Sequence, residues 1–251
     1  MKLIHGDTLD EMAKLPNNSI DMILADLPYG TTANKWDVIV PFDELWNQYE
    51  RIIKENGAII LFGSQPFTTK LIASNMKLFR YEWIYRKVVG SNFALAHKIP
   101  LKEHENILVF YKKQPTYNPI KEPRAKSGKS RINAGFKTNS DKGNEGLSKM
   151  KRNNTQAEYD PNLKFPSSVQ IFNNRAKGAR GLHPAQKPLE LLEYLIKTYT
   201  NENEIILDNT MGSGSTGVAA IRTNRDFIGI EIEQEYFDIA TDRINSERVE
   251  L

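Results

Sequence analysis

Three carboxylates in this chain each close an apolar run. Asp26 follows Ile20 to Ala25, Asp208 follows Glu204 to Leu207, and Glu231 follows Phe227 to Ile230. After Asp26 come Leu27, Pro28 and Tyr29. Pro28 lacks an N–H and restricts Leu27 to extended geometry, which leaves backbone carbonyls fixed and pointing outward as acceptors. Tyr29 adds a flat ring. Two acceptors beside a stacking face suit a planar group that bears an NH2. A strand end with a proline turn and a core tyrosine would carry the same four letters.

The second chemical stretch is EIILDNTMGSGSTGVAAIRTNRDFIGIEIEQEYF, in which Gly212, Gly214 and Gly217 fall in G-x-G-x-x-G spacing. It reads as strand, acid, glycine turn, helix, strand, acid. Glycines there let the backbone turn tightly and let a ligand approach the main chain, while the helix start behind them offers N–H groups. Glu231, at the end of the next strand, can accept hydrogen bonds from both hydroxyls of a ribose. NAD and S-adenosylmethionine compete as ligands. NAD would set a pyrophosphate on the helix start; a carboxylate before the loop, Asp208, favours a cationic ligand. A packed strand–helix–strand unit with an ordinary glycine turn is the bland alternative.

The positioning elements follow from periodicity. Lys2–Gly6, Ile20–Ala25, Ala58–Phe62, Tyr81–Tyr85, Ile107–Tyr111, Ser168–Phe172, Glu204–Leu207 and Phe227–Ile230 read as strands, several without alternation and so buried on both faces. Thr8–Leu15, Phe42–Lys54 (closed by Asn56-Gly57), Pro66–Met76, Pro188–Tyr199, Ser215–Thr223 and Glu235–Asn245 read as helices. Strands alternating with helices predict an α/β fold with a mostly parallel sheet. In such sheets ligands bind beyond the carboxyl ends of the strands, so Asp26, Asp208 and Glu231 should share one edge.

Composition narrows the classes. The chain has 251 residues and no cysteine, which excludes disulfides, thiolate metal sites and cysteine nucleophiles. No membrane-spanning run or signal peptide is visible, so the chain reads as a cytoplasmic protein. The net charge of +3 is unevenly spread: residues 112–182 hold 16 Lys/Arg against 5 Asp/Glu, and the remainder holds 18 against 26. A basic stretch on an otherwise acidic protein suits a polyanion; a solvated linker is the other reading.

Asp26-Leu27-Pro28-Tyr29 resembles the D-P-P-Y motif of amino-methylating DNA methyltransferases. Asp208 with Met211 to Thr216 resembles their D-x-F-x-G-S-G-T-T cofactor loop, HPAQKPLELLEYLI (183–196) their H-P-T-Q-K-P segment, and FIGIEIEQEYFDIA the strand with the ribose-binding acid. The catalytic motif precedes the cofactor loop, as in the β class. The resemblance covers nearly the whole chain outside 112–167. Leu27 stands where the family has its first proline, and Asn209-Thr210 where it has Pro-Phe.

The resemblance implies a Rossmann-like, S-adenosylmethionine-dependent methyltransferase fold with circularly permuted motif order. A catalytic half, 1–111, and a cofactor-binding half, 168–251, would flank a basic target-recognition insert, 112–167. It implies methyl transfer to adenine N6 in double-stranded DNA, with Asp26, Leu27, Pro28 and Tyr29 catalytic and Tyr29 stacking on a flipped base. Cytosine N4 is the nearer alternative, because S-P-P-Y marks that target in the family; RNA or a protein amide are further substrates within the class. An NAD-binding oxidoreductase and an inactive DNA-binding module are the rivals from other classes. Cytosine carbon-5 chemistry is excluded by the lack of cysteine.

By the same resemblance Glu231 holds the ribose, Asp7 lies beside the adenine (or only caps the first helix), and Met211, Gly212, Ser213, Gly214 and Ser215 line the methionine part. Asp208 faces its ammonium, and Gln186 and Lys187 sit near its carboxylate. Lys121, Arg124, Lys126, Lys129, Arg131, Lys137, Lys149, Lys151 and Arg152 are the expected DNA contacts. A homodimer and a cognate restriction endonuclease are partners the family admits.

Overall fold

The apolar runs assemble into one eight-stranded sheet in a computed structural model that describes residues 1–31, 37–125, 160, 162–174 and 186–250. The strands are β1 (Lys2–His5), β2 (Ile20–Ala25), β3 (Ile53–Gly63), β4 (Phe79–Ser91), β5 (Lys102–Phe110), β8 (Val169–Phe172), β9 (Ile205–Asp208) and β10 (Asp226–Glu231). Their order is β1-β10-β9-β2-β3-β5-β4-β8. Every pairing is parallel except those of β5, which runs antiparallel to both β3 and β4. A single reversed strand therefore brings the beginning of β5 to the edge where its neighbours end. Asn106 lies opposite Gly63, the last residue of β3.

Helices cover both faces. Met22 and Leu24 of β2, with Ala58, Ile60 and Phe62 of β3, pack in a cluster with α4 (Leu189–Tyr199), α5 (Ser215–Arg222) and α6 (Gln234–Glu250). Ile23 and Ala25, with Ile59 and Leu61, pack in the other cluster with α1 (Thr8–Ala13), α2 (Phe42–Ile52) and α3 (Phe67–Ser74). Burial on both faces explains why these strands lack alternation.

Among the boundaries that differ from the periodicity, such as the longer β4 and β5, the one between α2 and β3 has a clear physical cause. The helix stops at Ile52 rather than Lys54, and β3 begins at once with Ile53, through the Asn56-Gly57 pair. Ile53 is buried and pairs with Ile20, whereas the next partner of β2, Met22, is Ala58. The chain bulges out over the polar residues between and resumes its register. A Cβ on Gly57 would stand 2.9 Å from the Asp21 carbonyl, so the return needs glycine.

The chain divides into two compact units, Met1–Asn118 with Ser168–Leu251, and Pro119–Ser167. Among the described residues of the second unit, β6 (Glu122–Pro123) pairs antiparallel with β7 (Leu163–Lys164), and a Lys164–Glu122 ion pair of 2.7 Å joins them. No described helix is long and apolar enough to cross a membrane.

Candidate active site

Beyond the ends of β1, β2, β9 and β10 lies a cavity of about 410 Å³. Asp7, Asp26, Leu27, Pro28, Tyr29, Gly212 and Glu231 line it. A smaller cavity of about 60 Å³ is lined by Gln186, Lys187, Asp208, Met211, Ser213 and Ser215, and Asp26 and Gly212 belong to both. Residues from distant parts of the chain thus converge because parallel strands deliver their last residues to one edge.

Asp26 is held on every side. Tyr29 Oη donates to its Oδ1 at 2.6 Å, and the Lys187 ammonium binds its Oδ2. Thr210 Oγ1 donates to the Asp26 backbone carbonyl at 3.2 Å. The Tyr29 ring stacks on Phe67 with centroids 4.7 Å apart, and burial, then the Asp26 charge, holds its hydroxyl protonated by pushing its pKa well up. The loop after it is pinned by Asp37, whose two oxygens accept from Gly30 N and Thr31 N at 2.8 Å each. Gly30 sits at φ +67°, where glycine is unstrained. Leu27 is buried in the core, which gives an apolar side chain a physical reason to stand in this motif.

Thr210 ties the end of β9 to the end of β2 through the Asp26 carbonyl, and Asn209 ties it to α1 and α2. Asn209 accepts from Tyr49 Oη at 2.6 Å and donates to Thr8 Oγ1 at 2.8 Å. Asp208 accepts from Thr210 N at 3.1 Å and from Thr216 Oγ1 at 2.6 Å, so it ties the loop to the start of α5. Burial pushes its carboxyl up to about 7, against the smaller lowering by those two bonds. Glu231 Oε2 accepts from Gly212 N at 2.8 Å and Oε1 from Glu233 N at 2.9 Å. Burial raises Glu231 as well, with the backbone bonds opposing. Arg243 of α6 donates to the Ser213 carbonyl at 2.5 Å, closing the loop from behind.

Asp208 gives a stability prediction with a definite sign. The free carboxyl titrates near 3.8 and the folded one near 7, so between these values the folded state holds more protons. Its contribution is fully present below pH 3.8 and is lost as pH rises through 7. Asp208→Asn keeps one acceptor, can meet Thr216 Oγ1 as a donor instead because a hydroxyl can also accept, and abolishes that loss. For a loss of ~1 kcal/mol, the variant should melt roughly 2–4 °C higher relative to wild type at pH 8 than at pH 5. Parallel melting curves at the two pH values check it; equal differences at both would show that Asp208 does not titrate in this range.

The glycine run does two kinds of work. Gly212 lines both cavities. Gly214 does not line either; at φ +78° it caps α5, and a Cβ there would meet Ala240 Cβ at 2.9 Å. A Cβ on Gly217 would meet Ile244 Cδ1 at 2.4 Å. These two glycines allow the close approach of α6 to α5. Asp7 has both functions open to it: its Oδ1 caps α1 through Leu9 N and Asp10 N, and it lines the larger cavity.

Lys187 is placed on Asp26 and, at 3.3 Å, on Glu105 Oε2, because β5 carries that second acid to the same edge. Glu105 also pairs with Lys87 at 2.5 Å. Glu105, Lys87 and Tyr49 escape a motif reading because each lies far from the motifs along the chain, and Asp37, eight residues past Tyr29, belongs to no motif; an acid ahead of the apolar run of β5 is the one sequence signal for Glu105. Burial would raise Glu105, but the ammonium groups of Lys187 and Lys87 outweigh it and bring it down to about 2. Of the expected DNA contacts, Lys121 lies over the Phe165 ring at 6.0 Å and Arg124 donates to the Leu163 carbonyl at 3.1 Å, both within the second unit. Lys126, Lys129, Arg131, Lys137, Lys149, Lys151 and Arg152 lie outside the described residues.

A mostly parallel sheet between two helical layers, with a glycine loop and strand-end acids around one cleft, defines a Rossmann-like methyltransferase. The model of the DNA methylase family (N6_N4_Mtase) matches residues 20–242, and the chain belongs to that family of S-adenosylmethionine-dependent DNA methyltransferases, whose targets are adenine N6 and cytosine N4. It is 29% identical over 265 residues to the DNA adenine methyltransferase YhdJ of Escherichia coli (strain K12), covering 97% of this chain and 82% of that protein. Its fold is similar to that of the M1.HpyAVI–SAM complex, with TM-score 0.65 and 23% identity over 97% and 98% of the two chains. It is similar also to the cytosine-N4-specific PvuII DNA methyltransferase, with TM-score 0.66 and 14% identity over 98% and 90%.

Proposed function

We propose that this DNA methyltransferase methylates adenine N6 in double-stranded DNA, at a base turned out of the duplex into the cleft beside Asp26. The observation that carries this reading is the carboxylate of Asp26, next to Tyr29 and on the wall shared by both cavities. An aspartate in the first position of the motif, and the adenine specificity named for the Escherichia coli relative, support adenine over cytosine.

The residues fit the cofactor. Glu231 accepts from Gly212 N on one oxygen and from Glu233 N on the other, and a carboxylate with about four lone pairs has room to receive a ribose hydroxyl as well. Asp7 borders the same cavity, and Gln186, Met211, Ser213 and Ser215 border the smaller one with Asp208. When bound, S-adenosylmethionine supplies a methyl group on a cationic sulfur, taken by the base nitrogen in a direct in-line displacement without a covalent enzyme intermediate.

The exocyclic nitrogen is a poor nucleophile because its lone pair is delocalised into the ring. Asp26 and the Leu27 carbonyl would accept its two N–H bonds and localise that pair. They would also face the positive charge that develops on nitrogen, so they act chiefly in the transition state. Pro28 holds the carbonyl outward. Tyr29, its ring braced by Phe67, would stack on the extruded base. Lys121, Arg124 and the basic residues from 126 to 152 would meet phosphates, which carry affinity rather than sequence choice.

The test is an incubation with methyl-labelled S-adenosylmethionine and unmethylated genomic DNA, followed by digestion to nucleosides. Label in N6-methyladenine is the expected result. Label confined to N4-methylcytosine would refute the base assignment, and none in DNA would refute the function.

A further inference from the structure

The Lys187 ammonium is wedged between two carboxylates, and both matter. It binds Asp26 Oδ2, lies 3.3 Å from Glu105 Oε2, and sits over the Phe62 ring at 4.9 Å. Its side chain is 10% exposed, that of Glu105 13% and that of Asp26 22%. Glu105 is itself anchored by Lys87 through its other oxygen, at 2.5 Å. It lies in β5, across from Tyr85 of β4, and meets Lys187, which lines the smaller cavity, because β5 runs against its neighbours.

This arrangement conflicts with the chemistry proposed for Asp26. Both of its oxygens already accept, one from Tyr29 and one from Lys187, and a base amine can use a remaining lone pair. The conflict is one of charge: an ammonium left on Asp26 would neutralise the negative charge meant to face the developing positive charge on nitrogen. The ammonium cannot simply depart to a site without charge, because a buried, unpaired ammonium is strongly disfavoured.

We propose that Glu105 is a positioning residue that receives the Lys187 ammonium when the base amine binds Asp26, leaving the Asp26 charge to face the base nitrogen. The ammonium then exchanges one carboxylate for another over a short distance and stays paired throughout. Lys87 keeps Glu105 ionised and fixed for that exchange. No bond to carbon is made or broken in this step; hydrogen bonds are exchanged, and the proton stays on lysine. The inference rests on the methyl-transfer reading above and adds a residue to it that touches neither base nor cofactor.

The experiment is a double-mutant cycle on the full chain, read as the single-turnover rate of label transfer to unmethylated DNA. S-adenosylmethionine affinity and melting temperature are measured alongside. Glu105→Gln keeps the shape and removes the charge, so Lys187 stays on Asp26. The rate should fall about 10–100-fold, with cofactor affinity within about twofold. Glu105→Asp keeps the charge and should remain within about fivefold of wild type, which covers the case in which the glutamine variant does not fold. In a Lys187→Gln background there is no ammonium to receive, and Glu105→Gln should change the rate less than about twofold. A wild-type rate in Glu105→Gln, an equal loss in Glu105→Asp, or an unchanged loss in the Lys187→Gln background overturns the inference alone. An inactive wild type would overturn the functional reading and this inference with it.

Discussion

Asp26→Asn should lower the single-turnover rate of methyl transfer about 10²–10³-fold, the scale seen when a group aimed at transition-state charge is removed. Cofactor affinity should stay within about threefold, because the ribose acid and the loop lie on other strands. Asparagine keeps the volume and one acceptor oxygen, so the Tyr29 bond survives in kind. What it loses is the negative charge and the second acceptor. The charge matters most when nitrogen becomes positive, so the effect belongs in the rate and not in ground-state binding. The variant also releases Lys187 to Glu105, which keeps the ammonium paired and the fold intact. Equilibrium binding of S-adenosylmethionine, a melting curve and a single-turnover assay decide the matter together. A variant that turns over at the wild-type rate would remove Asp26 from the chemistry.

The second large effect runs the other way. Glu231→Ala should raise the dissociation constant for S-adenosylmethionine by about 10–150-fold, the equivalent of one or two hydrogen bonds to a charged acceptor. The rate at saturating cofactor should change little. Two contributions combine here. The carboxylate offers its remaining lone pairs to a ribose, and it holds the loop by accepting from Gly212 N and Glu233 N. Glu231→Gln separates them: one amide oxygen can keep a backbone bond, yet the amide nitrogen cannot accept. Titration calorimetry on both variants checks the prediction. An unchanged affinity in Glu231→Ala would move the ribose site elsewhere in the cleft. Set beside Asp26→Asn, the pair forms a double dissociation, one variant losing rate and the other affinity.

The local readings that held are those governed by local rules. The strand runs around residues 20–25 and 205–208, the glycine turn and the amphipathic helix at 188–199 all appear near their expected bounds. The helix after Phe42 ended two residues early because burial of Ile53 in the sheet outweighed its helical spacing. The glycines at 214 and 217 were legible as a motif, but their service to α6 was not, since Ala240 and Ile244 follow them by more than twenty residues. Asn209 and Thr210 looked like departures from a pattern. Only their bonds show that Thr210 holds the ends of β9 and β2 together while Asn209 holds that end to Tyr49 and Thr8.

By itself the sequence determined that acids would gather at one edge. Parallel strands linked by helices all end on the same side, and Asp26, Asp208 and Glu231 each follow such a strand. It also ruled out thiol chemistry through the lack of cysteine. The tertiary structure alone decided what surrounds Asp26. Strand direction is set by pairing partners and not by residue type, so nothing in the letters of β5 announces that it runs backwards. That reversal brings Glu105 against Lys187 as a second carboxylate behind the cleft wall.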